Sequence, residues 1–219
     1  MKEYEYVTKK EYSPVRKEIE EKILSKVHKI LKKDYGITFQ HKLIGSGNRH
    51  LVTRLVGGNT GYDFDYNLIL MSYREDYSEK EFKEAFINSF NKAIKGTQYK
   101  FAENSTSAIT IKVVDQKNKR ILHSCDFVII EYEDDDAPEE GYYYIRNFKD
   151  GRYQWAFRNL SKNVDEKLNE ILDYWADGWR AIKDEYIKLK CRQDKHSFVL
   201  YLEAINNIYN QTMQDQRNG

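Results

Sequence analysis

Residues 61–71, GYDFDYNLILM, place two aspartates inside a run that otherwise reads as a buried β-strand. Side chains of a strand alternate between the two faces of its sheet. Asp63, Asp65 and Asn67 therefore share one face, and the other face holds the apolar residues Phe64, Tyr66, Leu68 and Leu70. The pattern predicts a strand with one face for the core and one face that carries paired carboxylates.

The segments before this strand predict a helix and a strand that ends in a tight turn. Apolar residues at helical spacing cover residues 15–35, and a strand is predicted from about Ile37 to the glycine turn at residues 45–47. A short helix is predicted for NRHLVTRLV, residues 48–56. GGNTG, residues 57–61, is typical of a flexible link.

The segments after it predict a helix and two hairpins. Ser78 and Glu81 form the capping box of a helix that ends before Gly96. SAITIKVVD and RILHSCDFVIIEYE, separated by QKNK, read as one strand hairpin. YYYIRNFKDGRYQWAF, residues 142–157, reads as a second hairpin that turns at Asp150 and Gly151.

The remaining chain is predicted to be helical, with Trp175 and Trp179 in the core. The order of elements indicates an α+β fold, a mixed sheet flanked by helices and followed by a helical lobe, with an active-site cleft between them. The predicted domains are residues 1–150 and residues 151–219.

Composition narrows the class of protein. Lys and Arg number 36 against 35 Asp and Glu, so a strong overall field for an extended nucleic acid is absent, and such a partner is mildly disfavoured. Cys125 and Cys191 lack partners at the spacing of a disulfide framework or a zinc site. The sequence offers no apolar run long enough for a membrane and no leader pattern, so we expect a cytoplasmic protein.

A third acid, Asp126, interrupts the apolar run HSCDFVII and shares its face with Val128 and Ile130. Desolvated carboxylates on adjacent strands raise one another's pKa, so three of them require a cation. Mg²⁺ (or Mn²⁺) takes oxygen ligands and keeps substrate phosphates in its shell. Asp63, Asp65 and Asp126 are therefore predicted to be the metal ligands and catalytic residues of a two-metal phosphoryl or nucleotidyl transfer.

The glycine turn offers a site for phosphate. Gly45, Ser46 and Gly47 present backbone N–H groups and a hydroxyl one element before the paired acids, and Arg49 adds a cation where a phosphate could be met. These residues are predicted to bind the nucleotide's phosphates.

Together, Gly45-Ser46, Asp63-Phe64-Asp65 and Asp126 resemble the signature of the DNA polymerase beta-like nucleotidyltransferase superfamily. The layout of STSAITIKVVDQKNKRILHSCDFVII is similar to the branch that holds cyclic GMP-AMP synthase, the oligoadenylate synthases and their bacterial relatives. The resemblance covers about residues 15–132. It implies a nucleotidyltransferase palm that binds a nucleoside triphosphate at the Gly-Ser turn and two Mg²⁺ ions on the three acids.

The predicted activity is transfer of an NMP moiety from an NTP, such as ATP, to an acceptor hydroxyl with release of pyrophosphate. The acceptor stays open between a second nucleotide, an RNA end, a protein side chain and a small molecule, and the oligomeric state stays open as well. Two alternatives are pyrophosphate transfer to a guanosine nucleotide and a catalytically inactive nucleotide- or partner-binding domain.

Two aromatic residues of the second hairpin, Tyr153 and Trp155, are candidates for stacking on a nucleobase. The alternative, which the sequence favours, is that they pack the hairpin against the helical lobe. His123 has the opposite strand parity to Asp126, so we expect it to face away from the acids.

Overall fold

The computed structural model describes residues 2–73, 77–133, 140–160 and 163–218. The chain forms two compact units. The larger unit consists of Val7–Val52 and Gly58–Leu160, and the smaller unit consists of Met1–Tyr6, Thr53–Gly57 and Ser161–Gly219.

The larger unit is built on one mixed sheet. In chain order the strands of the protein are β1 Tyr4–Tyr6, β2 Thr38–Ile44, β3 Thr53–Leu55, β4 Tyr62–Ser72, β5 Glu103–Asn104, β6 Ile109–Asp115, β7 Arg120–Tyr132, β8 Gly141–Asn147 and β9 Tyr153–Asn159. The sheet order is β2-β4-β7-β6-β5, with β8 paired to β7 and to β9. The β4–β7 pair is parallel and the other pairs are antiparallel. The predicted α+β class is thereby confirmed.

Helices lie before, between and after these strands. Their bounds are α1 Lys9–Lys17, a π-helical segment Glu18–Leu24, α2 Ser25–Tyr35, α3 Gly45–Asn48, α4 Glu79–Ala93, α5 Asn163–Tyr174, α6 Gly178–Arg192 and α7 Ser197–Asn218. The first helical stretch starts earlier than predicted, because Thr8 caps it by accepting from the backbone N–H of Glu11. It ends as predicted at Gly36, whose φ of 70° suits a helix C-cap.

The apolar face of β4 carries the core of the larger unit. Phe64, Tyr66 and Leu68 are each 0% exposed. Across the parallel pair, Tyr66 stacks on Phe127 of β7, and Phe90 of α4 packs on the same Phe127 ring at a centroid distance of 4.5 Å. This face of β4 is fixed to the core, so strand alternation sends Asp63 and Asp65 to the other face.

The predicted helix N-terminus and both hairpins are confirmed. Ser78 and Glu81 form the capping box of α4. β6 and β7 pair on either side of the turn at residues 116–119, and β8 and β9 pair on either side of Gly151, which has a φ of 84°. The predicted domain boundary after residue 150 falls within this second hairpin, whose backbone pairing keeps both strands in the larger unit.

The predicted short helix over residues 48–56 is wrong. The helical turn is α3, which ends at Asn48, and residues 53–55 form β3. β3 pairs antiparallel with β1, so a segment far away in sequence completes its hydrogen bonds. A local sequence pattern does not reveal such a long-range pairing. Here the pairing with β1 overrides the helical pattern of the segment.

The smaller unit combines the β1–β3 ribbon with α5, α6 and α7. The hydroxyl of Tyr6 donates to the carbonyl of Lys183 over 2.7 Å, and Nζ of Lys190 donates to Oγ1 of Thr53 over 2.8 Å. Both bonds connect the ribbon to α6. Within the described ranges, no helix has the length and apolar character needed to cross a membrane.

The prediction that Trp175 and Trp179 lie in the core is wrong for Trp175 and only partly right for Trp179. Helix α5 ends at Tyr174, and the chain turns before α6 begins at Gly178. The predicted continuous stripe is therefore interrupted, which leaves Trp175 38% exposed and Trp179 half-buried.

His123 packs in the core, as predicted from its parity. Its ring stacks on Tyr62, and its Nε2 shares a hydrogen bond of 2.9 Å with the hydroxyl of Tyr99. Burial lowers the pKa of His123 to about 4. The folded protein thus keeps this imidazole neutral at a pH where the unfolded chain protonates it.

We expect His123 to contribute an acid-dependent loss of stability. Its pKa is lower in the folded state than the ordinary value of 6.5, so stability falls as the pH drops from about 6.5 to about 4. In His123→Phe this part of the pH profile should flatten, by about 3 kcal/mol relative to the unmodified protein. Urea unfolding at several pH values measures the difference, and His41→Gln, at an exposed site, is the control. Parallel profiles for the unmodified protein and His123→Phe would contradict this expectation.

Candidate active site

The three acids lie on neighbouring strands, and the register places two of them side by side. Asp65 of β4 is opposite Asp126 of β7, and Asp63 is opposite Ser124, two residues earlier on both strands. Cross-strand partners share a face, so Asp63, Asp65 and Asp126 lie on the same side of the sheet. Asp63 is exposed, and the other two are half-buried.

The glycine turn adjoins Asp65 from the opposite edge. Ile44, the last residue of β2, pairs with Asp65, so the turn begins directly beside this acid. Gly45 has a φ of 62°, and a Cβ atom at this position would lie 2.7 Å from Oδ2 of Asp65. Only glycine fits a positive φ together with so close an approach. The backbone of the predicted phosphate site and the paired acids are therefore adjacent.

Electrostatics at the acids favour a cation. Burial, followed by the charges of Asp126 and Asp63, raises the pKa of Asp65 to about 6. Burial is also the main reason why the pKa of Asp126 is raised, while the Thr110 hydroxyl opposes that rise. Among the described residues Asp65 has no hydrogen bond or ion pair. Its charge is compensated only if a ligand supplies the positive partner.

Two hydroxyl groups orient the outer acids. Ser124 donates to Oδ1 of Asp63, and Thr110 of β6 donates to Oδ1 of Asp126. Thr110 is the register partner of Asp126 on the side away from Asp65. One row of side chains therefore runs across three strands from Thr110 through Asp126 to Asp65.

The donor set fits a divalent metal of the Mg²⁺ type. Carboxylate oxygens are the ligands that Mg²⁺ prefers. Burial is the main reason for the raised pKa of Asp65, and the charges of Asp126 and Asp63 add to it. Among the residues that the structure describes, three acids or other ligating side chains do not yet converge on one point.

Comparisons with known proteins agree with this architecture. No protein-family profile and no curated protein sequence matches the chain. Solved structures do match. A cyclic AMP-GMP synthase of Vibrio cholerae, DncV, in complex with nonhydrolyzable GTP aligns with a TM-score of 0.56 and 14% identity over 83% of this chain. The same enzyme with the linear intermediate pppA(3′,5′)pG aligns with a TM-score of 0.55 and 13% identity over 79% of the chain.

The chain has a nucleotidyltransferase fold. At these identities the likeness concerns the fold. The aligned part amounts to 50% and 47% of the two solved chains, so this chain spans about half the length of DncV.

The other residues predicted to bind phosphate follow Gly45 directly in the sequence and are partly or fully buried. Ser46 and Arg49 are half-buried, and Gly47 is buried with no room for a Cβ against Phe64. His50 is exposed and shares a hydrogen bond of 2.8 Å with the hydroxyl of Tyr12. The phosphate-binding role of Gly45, Ser46, Gly47 and Arg49 stays a prediction.

The two aromatic candidates of the second hairpin contact residues of the larger unit. Trp155 is half-buried, with its ring against Phe82 of α4, and the hydroxyl of Tyr153 accepts a hydrogen bond from Asn104. Trp155 pairs with Ile145 of β8. The residue before Ile145 pairs with Ile130, which shares the face of Asp126, so Trp155 lies on the opposite face of the sheet from the acids. Base stacking by Tyr153 and Trp155 stays a prediction.

Sequence reasoning missed the two hydroxyl residues, Thr110 and Ser124. Ser124 has the same parity as Asp126, two residues away, and this signal was available. Thr110 depends on the register across the QKNK turn, which includes a shift between Val113 and Val114. Counting back from the turn without this irregularity pairs Asp126 with the wrong residue.

We expect Thr110→Val to weaken metal-dependent activity by about 10- to 100-fold, as is usual when the partner of a ligating carboxylate is lost. Valine keeps the shape of threonine but cannot donate to Asp126. Thr110→Ser, which retains the hydroxyl, is the matched control and should keep most of the activity. Turnover and Mn²⁺ affinity measured on both variants check this expectation, and equal losses in the two would contradict it.

Proposed function

We propose that this protein is a metal-dependent nucleotidyltransferase that transfers an NMP moiety from an NTP to an acceptor hydroxyl and releases pyrophosphate. The observation that carries the proposal is the β4–β7 register, which sets Asp65 against Asp126 while Gly45 approaches Asp65 from β2. The glycine turn and the paired acids are each weak evidence alone. Their adjacency within a nucleotidyltransferase fold supports the proposal more strongly.

Asp63, Asp65 and Asp126 are the residues that would hold divalent ions. Such ions supply charge neutralisation for the triphosphate and lower the pKa of the attacking hydroxyl. By holding these ions, the three carboxylates would fix the position of the reacting phosphate relative to β4 and β7.

The glycine turn would bind the phosphates of the donor nucleotide. The first N–H groups of a helical turn lack intrahelical acceptors, so those at the start of α3 can donate to phosphate oxygens together with the Ser46 hydroxyl. The absence of a Cβ at Gly45 lets these groups lie against Asp65.

Asp126 is the residue proposed to take the proton of the acceptor hydroxyl. Its Oδ1 accepts from Thr110, so the hydrogen bond fixes the carboxylate plane and leaves Oδ2 available for the acceptor. Burial favours a proton on this carboxylate and so supports its role as a base.

A second nucleotide is the acceptor that we propose to test first. The solved structure of DncV with the same fold holds a linear intermediate made of two joined nucleotides. An RNA end, a protein side chain and a small molecule are the other acceptors to be tested.

Incubating the purified protein with each α-³²P-labelled NTP and Mg²⁺ or Mn²⁺ tests the proposal. We expect release of pyrophosphate and a labelled product, both abolished by EDTA. Release of AMP with a pyrophosphorylated guanosine nucleotide would instead favour pyrophosphate transfer. Metal-dependent nucleotide binding without any product would favour an inactive binding domain, and the lack of both would overturn the proposal.

A further inference from the structure

The face of the sheet that carries the three acids continues beyond Asp126 onto β6 and β5. Thr110 of β6 is the register partner of Asp126, and Glu103 of β5 is the register partner of Thr110. Two residues along β6, Lys112 is the register partner of Ser124. Cross-strand partners share a face, so Glu103 and Lys112 lie on the same side of the sheet as the acids.

Lys112 and Glu103 form an ion pair on this face. Nζ of Lys112 lies 2.5 Å from Oε1 of Glu103, and the two side chains are 31% and 30% exposed. An ammonium group has three N–H donors, and among the described residues Glu103 is the ion-pair partner of this one. The pair therefore orients the lysine at the sheet surface and leaves donors of Nζ for a ligand.

Two helices of the larger unit pack on the opposite face of the sheet. Tyr12 of α1 packs on Phe64 at a centroid distance of 5.9 Å, and Phe90 of α4 packs on Phe127 at 4.5 Å. Phe64 and Phe127 have the opposite strand parity to the acids. The ion pair thus lies on the other side of the sheet from these contacts, and its partial exposure leaves it accessible to a ligand.

The two flanks of the acids differ in what they offer a substrate. The glycine turn follows Ile44 of β2, which pairs with Asp65 on one flank, whereas β6 adjoins Asp126 on the other. In phosphoryl and nucleotidyl transfer, the attacking and leaving oxygens lie roughly in line across the reacting phosphorus. If the glycine turn holds the donor's phosphates, pyrophosphate leaves toward β2 and the acceptor approaches over β6.

We propose that the β6–β5 flank is the acceptor subsite and that it takes a 5′-phosphorylated nucleotide, whose phosphate Lys112 binds. This subsite rests on the proposed function. The acceptor hydroxyl oxygen bonds to the α-phosphorus of the donor while the bond from that phosphorus to the α–β bridging oxygen breaks. The leaving pyrophosphate takes the electron pair of the broken bond, and the hydroxyl proton passes to Asp126. Carboxylates repel a phosphate nearby, and the charge of Lys112 offsets that repulsion.

The short separation between Lys112 and Asp126 favours a mononucleotide as the acceptor. Neighbouring strands lie about 5 Å apart, and Lys112 is one strand and two residues away from the partner position of Asp126. The phosphate that binds and the hydroxyl that reacts therefore belong to one small molecule. A protein side chain offers a hydroxyl without such a phosphate.

Separate donor and acceptor nucleotides test the subsite. An α-³²P-labelled 2′,3′-dideoxy-NTP can only donate, because its ribose has no 2′- or 3′-hydroxyl. A nucleoside, its 5′-monophosphate and its α,β-methylene triphosphate can only accept, because none has a cleavable α–β phosphoanhydride. With Mg²⁺, we expect kcat/KM for both phosphorylated acceptors to exceed that for the nucleoside by at least about tenfold, as for a charge-assisted hydrogen bond.

Variants of Lys112 assign this preference to its charge. In Lys112→Met the ratio of kcat/KM between phosphorylated and unphosphorylated acceptors should fall to about twofold or less, and Lys112→Arg should retain it. Lys117→Met is the matched control, because it removes an exposed lysine from the turn between β6 and β7 and should keep the preference. Equal use of nucleoside and nucleotides by the unmodified protein, or the same ratio in Lys112→Met and Lys117→Met, would overturn the proposal.

Equilibrium binding of the 5′-monophosphate, measured by calorimetry with Mg²⁺ and without donor, separates the subsite from the proposed function. We expect Lys112→Met to bind it about tenfold more weakly than Lys117→Met does. This binding difference without transfer to any acceptor would refute the proposed function and support Lys112 as a phosphate-binding residue. Equal binding by the two variants, together with no transfer, would overturn both proposals.

Discussion

Replacing Asp65 with Asn is expected to reduce the rate of nucleotidyl transfer by a factor on the order of 10³ or more. The same change is expected to stabilise the metal-free protein at neutral pH. The first effect follows from the loss of the central carboxylate. The second follows from its raised pKa of about 6, against an ordinary value of 3.8. The folded state binds this proton more tightly than the unfolded state, so stability is lost as the pH rises from about 4 through 6.

The gain in Asp65→Asn should therefore appear above pH 6 and vanish near pH 4. Its size should be about 3 kcal/mol, measured by urea unfolding at pH 7.5 with EDTA. Asp115→Asn is the matched control of opposite sign, because hydrogen bonds from Asn118 lower the pKa of Asp115 in the folded state. A metal-free Asp65→Asn protein that is less stable than the unmodified protein at pH 7.5 would show that another group already compensates this carboxylate.

Gly45→Ala is expected to reduce turnover by at least about 100-fold and to destabilise the protein by about 2–4 kcal/mol. An alanine Cβ would lie 2.7 Å from Oδ2 of Asp65, and the residue would also keep a φ of 62° that disfavours side chains. The methyl group must displace either the Asp65 carboxylate or the turn. In both cases the turn that is proposed to bind phosphate and the acid no longer fit one substrate.

Gly36→Ala isolates the backbone part of this effect. Gly36 has a φ of 70°, and no atom lies within 4 Å of the position that an alanine methyl group would take, so only the conformational cost of about 1 kcal/mol remains. Thermal unfolding and turnover of both variants provide the comparison. Gly45→Ala with the activity of Gly36→Ala would contradict the close packing of turn and acid as a requirement for function.

Local patterns predicted the features that are encoded by neighbouring residues in the sequence. The alternation in β4, the capping box of Ser78 and the hairpin turn at Gly151 depend on neighbours within a few residues, and each is present. β3 depends on β1, about fifty positions earlier, so no local pattern contained it. The exposure of Trp175 follows from a helix end that its apolar stripe does not indicate.

For the site, sequence identified the residue types and the structure supplied the register. Parity alone placed Asp63 and Asp65 on one face, and the parallel β4–β7 pairing then set Asp126 beside Asp65. The irregular β6–β7 register concealed Thr110.

The most direct measurement of the central claim is a crystal structure with Mn²⁺ and a non-hydrolysable NTP, analysed by anomalous scattering. We expect Mn²⁺ at coordination distance from Asp65 and at least one of the other two acids, with the triphosphate against Ser46. Anomalous density away from Asp65, or a nucleotide bound at another surface while the acids hold no metal, would contradict the account.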